Sequence, residues 1–316
     1  MARGQYKGSF PSCVGRGGAA IIIGLLLSGT AVSAEDEDAS SERRGPPTRP
    51  FFLQLGYTPS QIFRADFRDE PGRVTVLHHD VSGTVIVPLR DRGLVNVTLS
   101  RDWLTYRFRQ NELLEGILED VRETQVHAVY MGRINPDWSL FAMGGIRWSA
   151  EHGASHDDAR MQSGMILFQR SWLENLEVGV GMLAASRLDD KPLAIPMASI
   201  NWDMTERLRL RTTRGLNLLY QLDEAGRWDL ALNGEYHSRY VRLRDDGPAP
   251  SGIFRSRLIA TTLAILYRPN PGVRLGAEIG FIPWRKITIR DENETTVFDS
   301  KTDPGLSAAF TASMTF

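Results

Sequence analysis

Six histidines with their neighbouring hydroxyls and carboxylates, and one row of arginines, are the residues here whose types could do chemistry. A serine nucleophile needs its base on the same face, so on a β-strand the two must stand two residues apart. Neither His127 nor His237 has Ser two residues on, and the adjacent His237 and Ser238 point to opposite faces. His78-His79-Asp80 offers the residue types of a His/Asp site but lacks a second pair of aspartates, and reads as a polar loop or strand edge. His152 and His156, beside Asp157 and Asp158, have a spacing that suits a metal only on a helix, and Gly153 argues against one. No phosphate-loop, dinucleotide or zinc signature is present, so no catalytic residue, metal or cofactor is expected.

The arginines are the more informative set. Arg207, Arg209 and Arg211 alternate with Leu208 and Leu210, so the three guanidinium groups share one face of a strand. The same parity turns Arg64, Arg107, Arg109, Arg147, Arg239 and Arg274 inward, with Asp66, Glu123, Asp229, Glu235 and Glu278. An arginine facing lipid near the midplane costs ~2–4 kcal/mol, so this face lines a lumen or lies near the membrane edge. Two readings follow. One is a wet pore whose wall favours anions; the other is an ion-paired, plugged interior that only stabilises the barrel.

The elements that hold these residues are strands. From Phe51 onward the pattern is period 2 broken by turns. In the last segment Leu306, Ala308, Phe310, Ala312, Met314 and Phe316 form one apolar face against Ser307, Ala309, Thr311, Ser313 and Thr315. About 14 such segments follow one another; the count changes if the short pieces at 206–222 are one strand or if 51–67 stays out of the wall, and about 12 is the alternative. Short turns such as Asn135-Pro136-Asp137 alternate with longer polar loops at 149–159, 187–191, 243–252 and 285–304, and 111–120 reads as a loop or a helical turn. Aromatic residues, Trp138, Trp172, Trp202 and Trp228 among them, fall near strand ends, where rings sit at lipid headgroups. A soluble sandwich with an aromatic core is the competing fold. The expectation is an all-β, antiparallel up-and-down transmembrane barrel over 51–316.

The N-terminus reads as an export signal over 1–34. Arg3, Lys7 and Arg16 precede a short apolar core, Ala19–Leu27, and Val32-Ser33-Ala34 places small residues at a cleavage site after Ala34. That core is shorter than the roughly 20 apolar residues a spanning helix needs. Residues 35–50, acidic and then rich in Ser, Arg and Pro, read as a disordered leader. The single cysteine, Cys13, is removed with the signal, so no disulfide scaffold is possible. Losing the three basic residues takes the formal charge from −1 to −4, which is no footprint for nucleic acid.

The C-terminal run Phe310-Thr311-Ala312-Ser313-Met314-Thr315-Phe316 resembles the assembly signal of bacterial outer-membrane proteins. There a terminal aromatic and alternate apolar residues, here Phe310, Ala312, Met314 and Phe316, are read by the barrel-assembly machinery. The exported chain as a whole resembles porin-like outer-membrane β-barrels of unknown function, which offer no active residues to carry over. The resemblance implies a Gram-negative outer membrane, periplasmic chaperones, and contact with outer-membrane lipids and lipopolysaccharide. The expected function is a passive channel for small solutes, with Arg207, Arg209, Arg211, Glu235, Arg239, Arg274 and Glu278 as lumen residues. A non-conducting structural or surface-interaction barrel is the alternative, and an outer-membrane hydrolase the third reading. The oligomeric state stays open.

Overall fold

The computed structural model describes residues 51–89, 93–115, 117–189, 191–212 and 215–316. The expected signal peptide over 1–34 with its cleavage after Ala34, and the expected leader over 35–50, lie outside the described residues. Thirteen strands follow in order: β1 (Phe52–Asp66), β2 (Arg73–Pro88), β3 (Leu94–Arg109), β4 (Val121–Arg133), β5 (Trp138–Glu151), β6 (Arg160–Leu173), β7 (Leu176–Ala185), β8 (Leu193–Asp203), β9 (Leu208–Arg211), β10 (Leu216–Gln221), β11 (Trp228–Arg242), β12 (Ile253–Asn270) and β13 (Val273–Arg290). The fourteenth wall position is shared by β14 (Thr296–Thr302) and β15 (Gly305–Thr315), both paired with β13. Asp303-Pro304 separates them, where proline has no N–H for the ladder. All wall pairs are antiparallel between neighbours, and β1 pairs with β15 to close the barrel. The expected loop 285–304 is therefore corrected. Strand β13 runs on to Arg290 and β14 starts at Thr296, leaving only 291–295 as the connection.

Side-chain carbonyls build the short turns. Asn135 Oδ1 accepts the N–H groups of Asp137 and Trp138, and Asn270 Oδ1 accepts that of Gly272. Gly93, at φ +118°, ends the β2–β3 turn where a Cβ would stand 2.0 Å from the Met131 carbonyl oxygen. The short turns share one end with Phe316, whose N–H bonds the Leu53 carbonyl at 2.9 Å. The longer connections 110–120, 152–159, 186–192 and 243–252 lie at the other, the loop end.

Polarity inverts along the long strands. In the lower part of β3, Val97 and Leu99 face out, while Asn96, Thr98, Ser100 and Asp102 are buried inside. Above Trp103 the order reverses: Leu104, Tyr106 and Phe108 are buried inside, while Arg107 and Arg109 are exposed. On β13, Ile279 and Phe281 are exposed below, while Ile287 and Ile289 are buried above. Strands crossing lipid turn apolar groups outward; strands standing in water bury them. This corrects the inward placement of Arg107 and Arg109. Arg64 and Asp66 also leave the interior, because a register shift between Ile62 and Ala65 turns them outward, where they pair with each other at 3.1 Å.

At the loop end the inward apolar residues of β2, β3, β11, β12, β13 and β14 form one core. The turn after β3 fills it: Leu114 and Leu118 are fully buried there, together with Ile117. Its Glu115 N–H bonds the Asn111 carbonyl in a single helical turn.

Candidate functional site: the barrel interior

The wall is low on one side. The top pairs of β9 and β10 are Asn201 with Arg211 and Leu216 with Gly234, whereas β11 climbs on to Arg242. There Arg242 pairs with Ala150 of β5, which is not its neighbour around the wall. The loop end is thus pinched into two lobes. The lobe bounded by β11–β14 and β1–β5 holds the apolar core. The other lies behind β6–β8, where Met161, Tyr240, Ile253 and Leu188 pack together. Asp189 in the β7–β8 loop holds this side to Arg255 at 3.1 Å and Arg290 at 3.9 Å.

Below the core lies a polar layer. Glu123 forms ion pairs with Arg147 of β5 at 3.2 Å and with Arg239 of β11 at 3.4 Å. Strands β4 and β11 stand seven wall positions apart in either direction, so this contact spans the barrel. Arg285, 2% exposed, lies 5.8 Å from the Tyr106 ring centroid. Arg285 opens the expected loop 285–304, where reading along the chain assigns it no face.

In the same layer Ser60, His78 and Asp102 meet from three successive strands. His78 Nδ1 lies 3.3 Å from Ser60 Oγ, and its Nε2 lies 2.5 Å from Asp102 Oδ1. With Nε2 protonated toward the carboxylate, Nδ1 accepts the serine proton, the order of a nucleophilic relay. Acyl transfer also needs donors aimed at a developing oxyanion. Ser60 sits in the ladder between Ala309 and His78, where backbone N–H groups are spent on neighbouring strands. Reading along single strands missed this set because it assembles across them. His79 points outward instead and stacks on Tyr57 at 6.2 Å.

The arginine row lies at the turn end. Arg211 pairs with Asn201 and Arg209 with Asp203 in the register, which puts the row on the inner face, with Leu208 and Leu210 outward. Arg207 bonds Glu224 at 3.1 Å and Arg211 bonds Asp203 at 2.6 Å. Their side chains keep 41% and 37% exposure, against 8% for Arg147 and 26% for Arg239, so the turn end is more open to solvent than the polar layer. Asp229, on the same level, binds Arg268 at 2.5 Å. Arg274 and Glu278 share the inner face of β13, and Glu235 bonds His237 at 3.2 Å. In the β10–β11 turn Asp223 accepts the Trp228 N–H at 2.8 Å, which holds its carboxyl below the usual range.

Small residues hollow out one sector. Ser307, Ala309 and Thr311 of β15 face in beside Gly276 and Gly280 of β13 and Gly56, Thr58 and Ser60 of β1. Polar atoms without hydrogen-bond partners among the described residues border the same interior, including Asn96 Oδ1, Asp80 Oδ2 and Ser149 Oγ. Buried groups of this kind ask for water.

A family model described as a domain of unknown function, DUF6268, matches residues 95–316. The chain belongs to this family. The match begins in β3, so it includes the arginine row and the Glu123–Arg239 contact but not Ser60 or His78. No curated protein matches the sequence. Among solved structures, the COG4313 outer membrane channel from Pseudomonas putida F1 is similar at 9% identity and a TM-score of 0.46, over 89% of this chain and 100% of that one. A Pseudomonas aeruginosa FadL homologue is similar at 10% identity and 0.43, over 84% and 89%. The KdgM porin is similar at 9% identity and 0.36, over 83% and 99%.

Proposed function

We propose that this barrel is an outer-membrane channel for small solutes, exported by a signal peptide cut after Ala34, with its arginine row favouring anions at the turn-end mouth. The observation that carries the reading is the contrast between the two faces of β9. Half-exposed Arg207 and Arg211 line a wet interior while Leu208 and Leu210 point out. Around the wall, exposed Val97, Phe168, Val180, Leu263, Ile279 and Phe310 give lipid an apolar surface. Trp138, Trp172, Trp202 and Trp228 rim its turn end, with Arg170 5.8 and 5.6 Å from the Trp138 and Trp172 ring centroids. A guanidinium row keeps its charge at any physiological pH and attracts anions from a low-dielectric wall. We read the protein as a non-enzyme, since Ser60 sits inside the ladder and not on a turn that would aim free N–H groups at an oxyanion.

The apolar core and the Glu123–Arg239 contact favour a second reading, a non-conducting structural barrel. Conductance of the purified protein in a planar bilayer separates the two. Discrete conductance steps are expected; a silent membrane holding folded protein would leave the structural reading standing. N-terminal sequencing of outer-membrane material, expected to begin at Glu35, tests the export step.

A further inference from the structure

Outside the wall, at the height where β12 and β13 change from apolar to charged, three cations stand side by side. Arg257 is the register partner of Lys286, and Lys286 of Lys301. Neighbouring strands lie about 4.8 Å apart, so the three backbone positions fall within about 10 Å. Like charges directly opposite on a sheet repel and need an anion between them. The protein supplies one to Lys286, whose Nζ lies 2.7 Å from Asp299 Oδ2. Lys301 is exposed and makes no ion pair among the described residues. The nearby Arg68, whose N–H bonds the Lys301 carbonyl, is engaged by Asp303 at 3.0 Å.

The height of the row is fixed by its neighbours. One step below, Ile259 pairs with Tyr236 and with Trp284, and those two rings stack at 6.4 Å. Exposed Ile259 and Leu263 continue downward. Aromatic rings with a polar tip mark the boundary between acyl chains and headgroups. Cations one step above such rings stand at the level of lipid phosphates.

We infer that Arg257, Lys286 and Lys301 form a binding site for the phosphate group of a lipid in the leaflet at the loop end, the lipid A moiety of lipopolysaccharide. This rests on the outer-membrane reading, in which the loop end faces outward. Lysine and arginine grip phosphate through charge-assisted hydrogen bonds, and an anchored lipid presents its phosphate without leaving the bilayer. The site works with an open or a closed lumen.

The test uses the full-length exported barrel, folded in neutral detergent, titrated with lipid A and followed by thermophoresis. Saturable binding is expected. Arg257→Gln/Lys286→Gln/Lys301→Gln should weaken it on the order of a hundredfold, the effect of three cations near an anionic surface. Arg107→Gln/Arg109→Gln, which removes two outward cations elsewhere at the loop end, should leave it within about twofold. Heat-modifiable mobility on gels confirms that each variant is folded. Inorganic phosphate in millimolar excess should not compete, and lipid A stripped of phosphate should bind as weakly as the triple variant. Equal binding by wild type and triple variant, or by phosphorylated and stripped lipid, overturns the site. Full competition by inorganic phosphate makes it a small-anion site instead. Membrane fractionation checks the outer-membrane reading independently of every arm.

Discussion

Arg239 of β11 reaches Glu123 of β4 at 3.4 Å across the full width of a fourteen-strand wall. The two strands are as far apart around the barrel as strands can be, so their contact records a flattened cross-section. Glu123 also holds Arg147, and its side chain is 2% exposed. Removing its charge takes this carboxylate from Arg147, 8% exposed, and from Arg239, 26% exposed. Glu123→Gln should destabilise the barrel by about 3–5 kcal/mol, read as a lower unfolding midpoint in a heat-modifiability series. Glu123→Leu combined with Arg147→Met and Arg239→Met should recover most of that loss. A triple variant as unstable as Glu123→Gln would show that the network does not act through charge.

The turn after β3 stoppers one lobe. Leu114 is fully buried, so Leu114→Ala should cost about 2–5 kcal/mol. Replacing residues 112–117 by a short Gly-Ser link should raise single-channel conductance several-fold if solutes pass through that lobe. Unchanged conductance in a folded variant would assign the path to the other lobe.

Selectivity is checked on the arginine row. Arg207→Gln/Arg209→Gln/Arg211→Gln keeps polarity and removes three charges. In a salt gradient its reversal potential should move toward cations by a modest amount, because Asp203 and Glu224 already offset part of the wild-type charge. An unchanged potential in a conducting protein would mean that this row does not set selectivity.

Phe316 is 52% exposed while its backbone is zipped to Leu53. Its ring contributes little to the closed wall and is available to a partner before closure. Deleting Phe316 should leave folded barrel scarce in outer-membrane fractions, with refolding in detergent nearly normal. Failure of both would reduce the residue to a structural one.

Ser60 bonds His78 from within the ladder, between strands β15 and β2. A fluorophosphonate probe should leave it unmodified in the folded protein by mass spectrometry. Stoichiometric labelling at Ser60, lost in His78→Ala, would reverse the non-enzyme reading.

The strands were legible because period-2 alternation survives any change of surroundings. The inside-outside assignment was legible only while the surroundings stayed constant. Arg209 and Arg211 lie in the lower wall, where outside means lipid, and the register sets them on the face of Asp203 and Asn201 that parity assigns. Arg107 and Arg109 lie higher, where outside means water, and the same rule inverts. Residues 285–304 looked like a loop because Lys286, Thr288 and Arg290 are polar, yet Ile287 and Ile289 between them keep the strand period. Contacts that cross the wall, Ser60 with His78 or Arg239 with Glu123, depend on register and cross-section. One chain read along its length holds no measure of either.

The low sector at β9 and β10 has a mechanical consequence. A closed ring of hydrogen bonds resists tearing because no strand is an end. That ring is complete only up to Gly234. Above it, β6, β7 and β8 form a flap hung from β5, and the β8 margin from Leu193 to Ser199 has no strand beside it among the described residues. Pro196 sits in that margin, where a missing N–H costs the ladder nothing. The flap is fastened at its top by Asp189 to two arginines of the opposite side. Pulled or heated, the molecule should yield first along this seam, with the turn-end collar still intact. Its compliance is concentrated in one sector, held to the opposite side by the Asp189 carboxylate, by Arg242 on the Asp158 carbonyl and by the packing of Met161 on Tyr240 and Ile253.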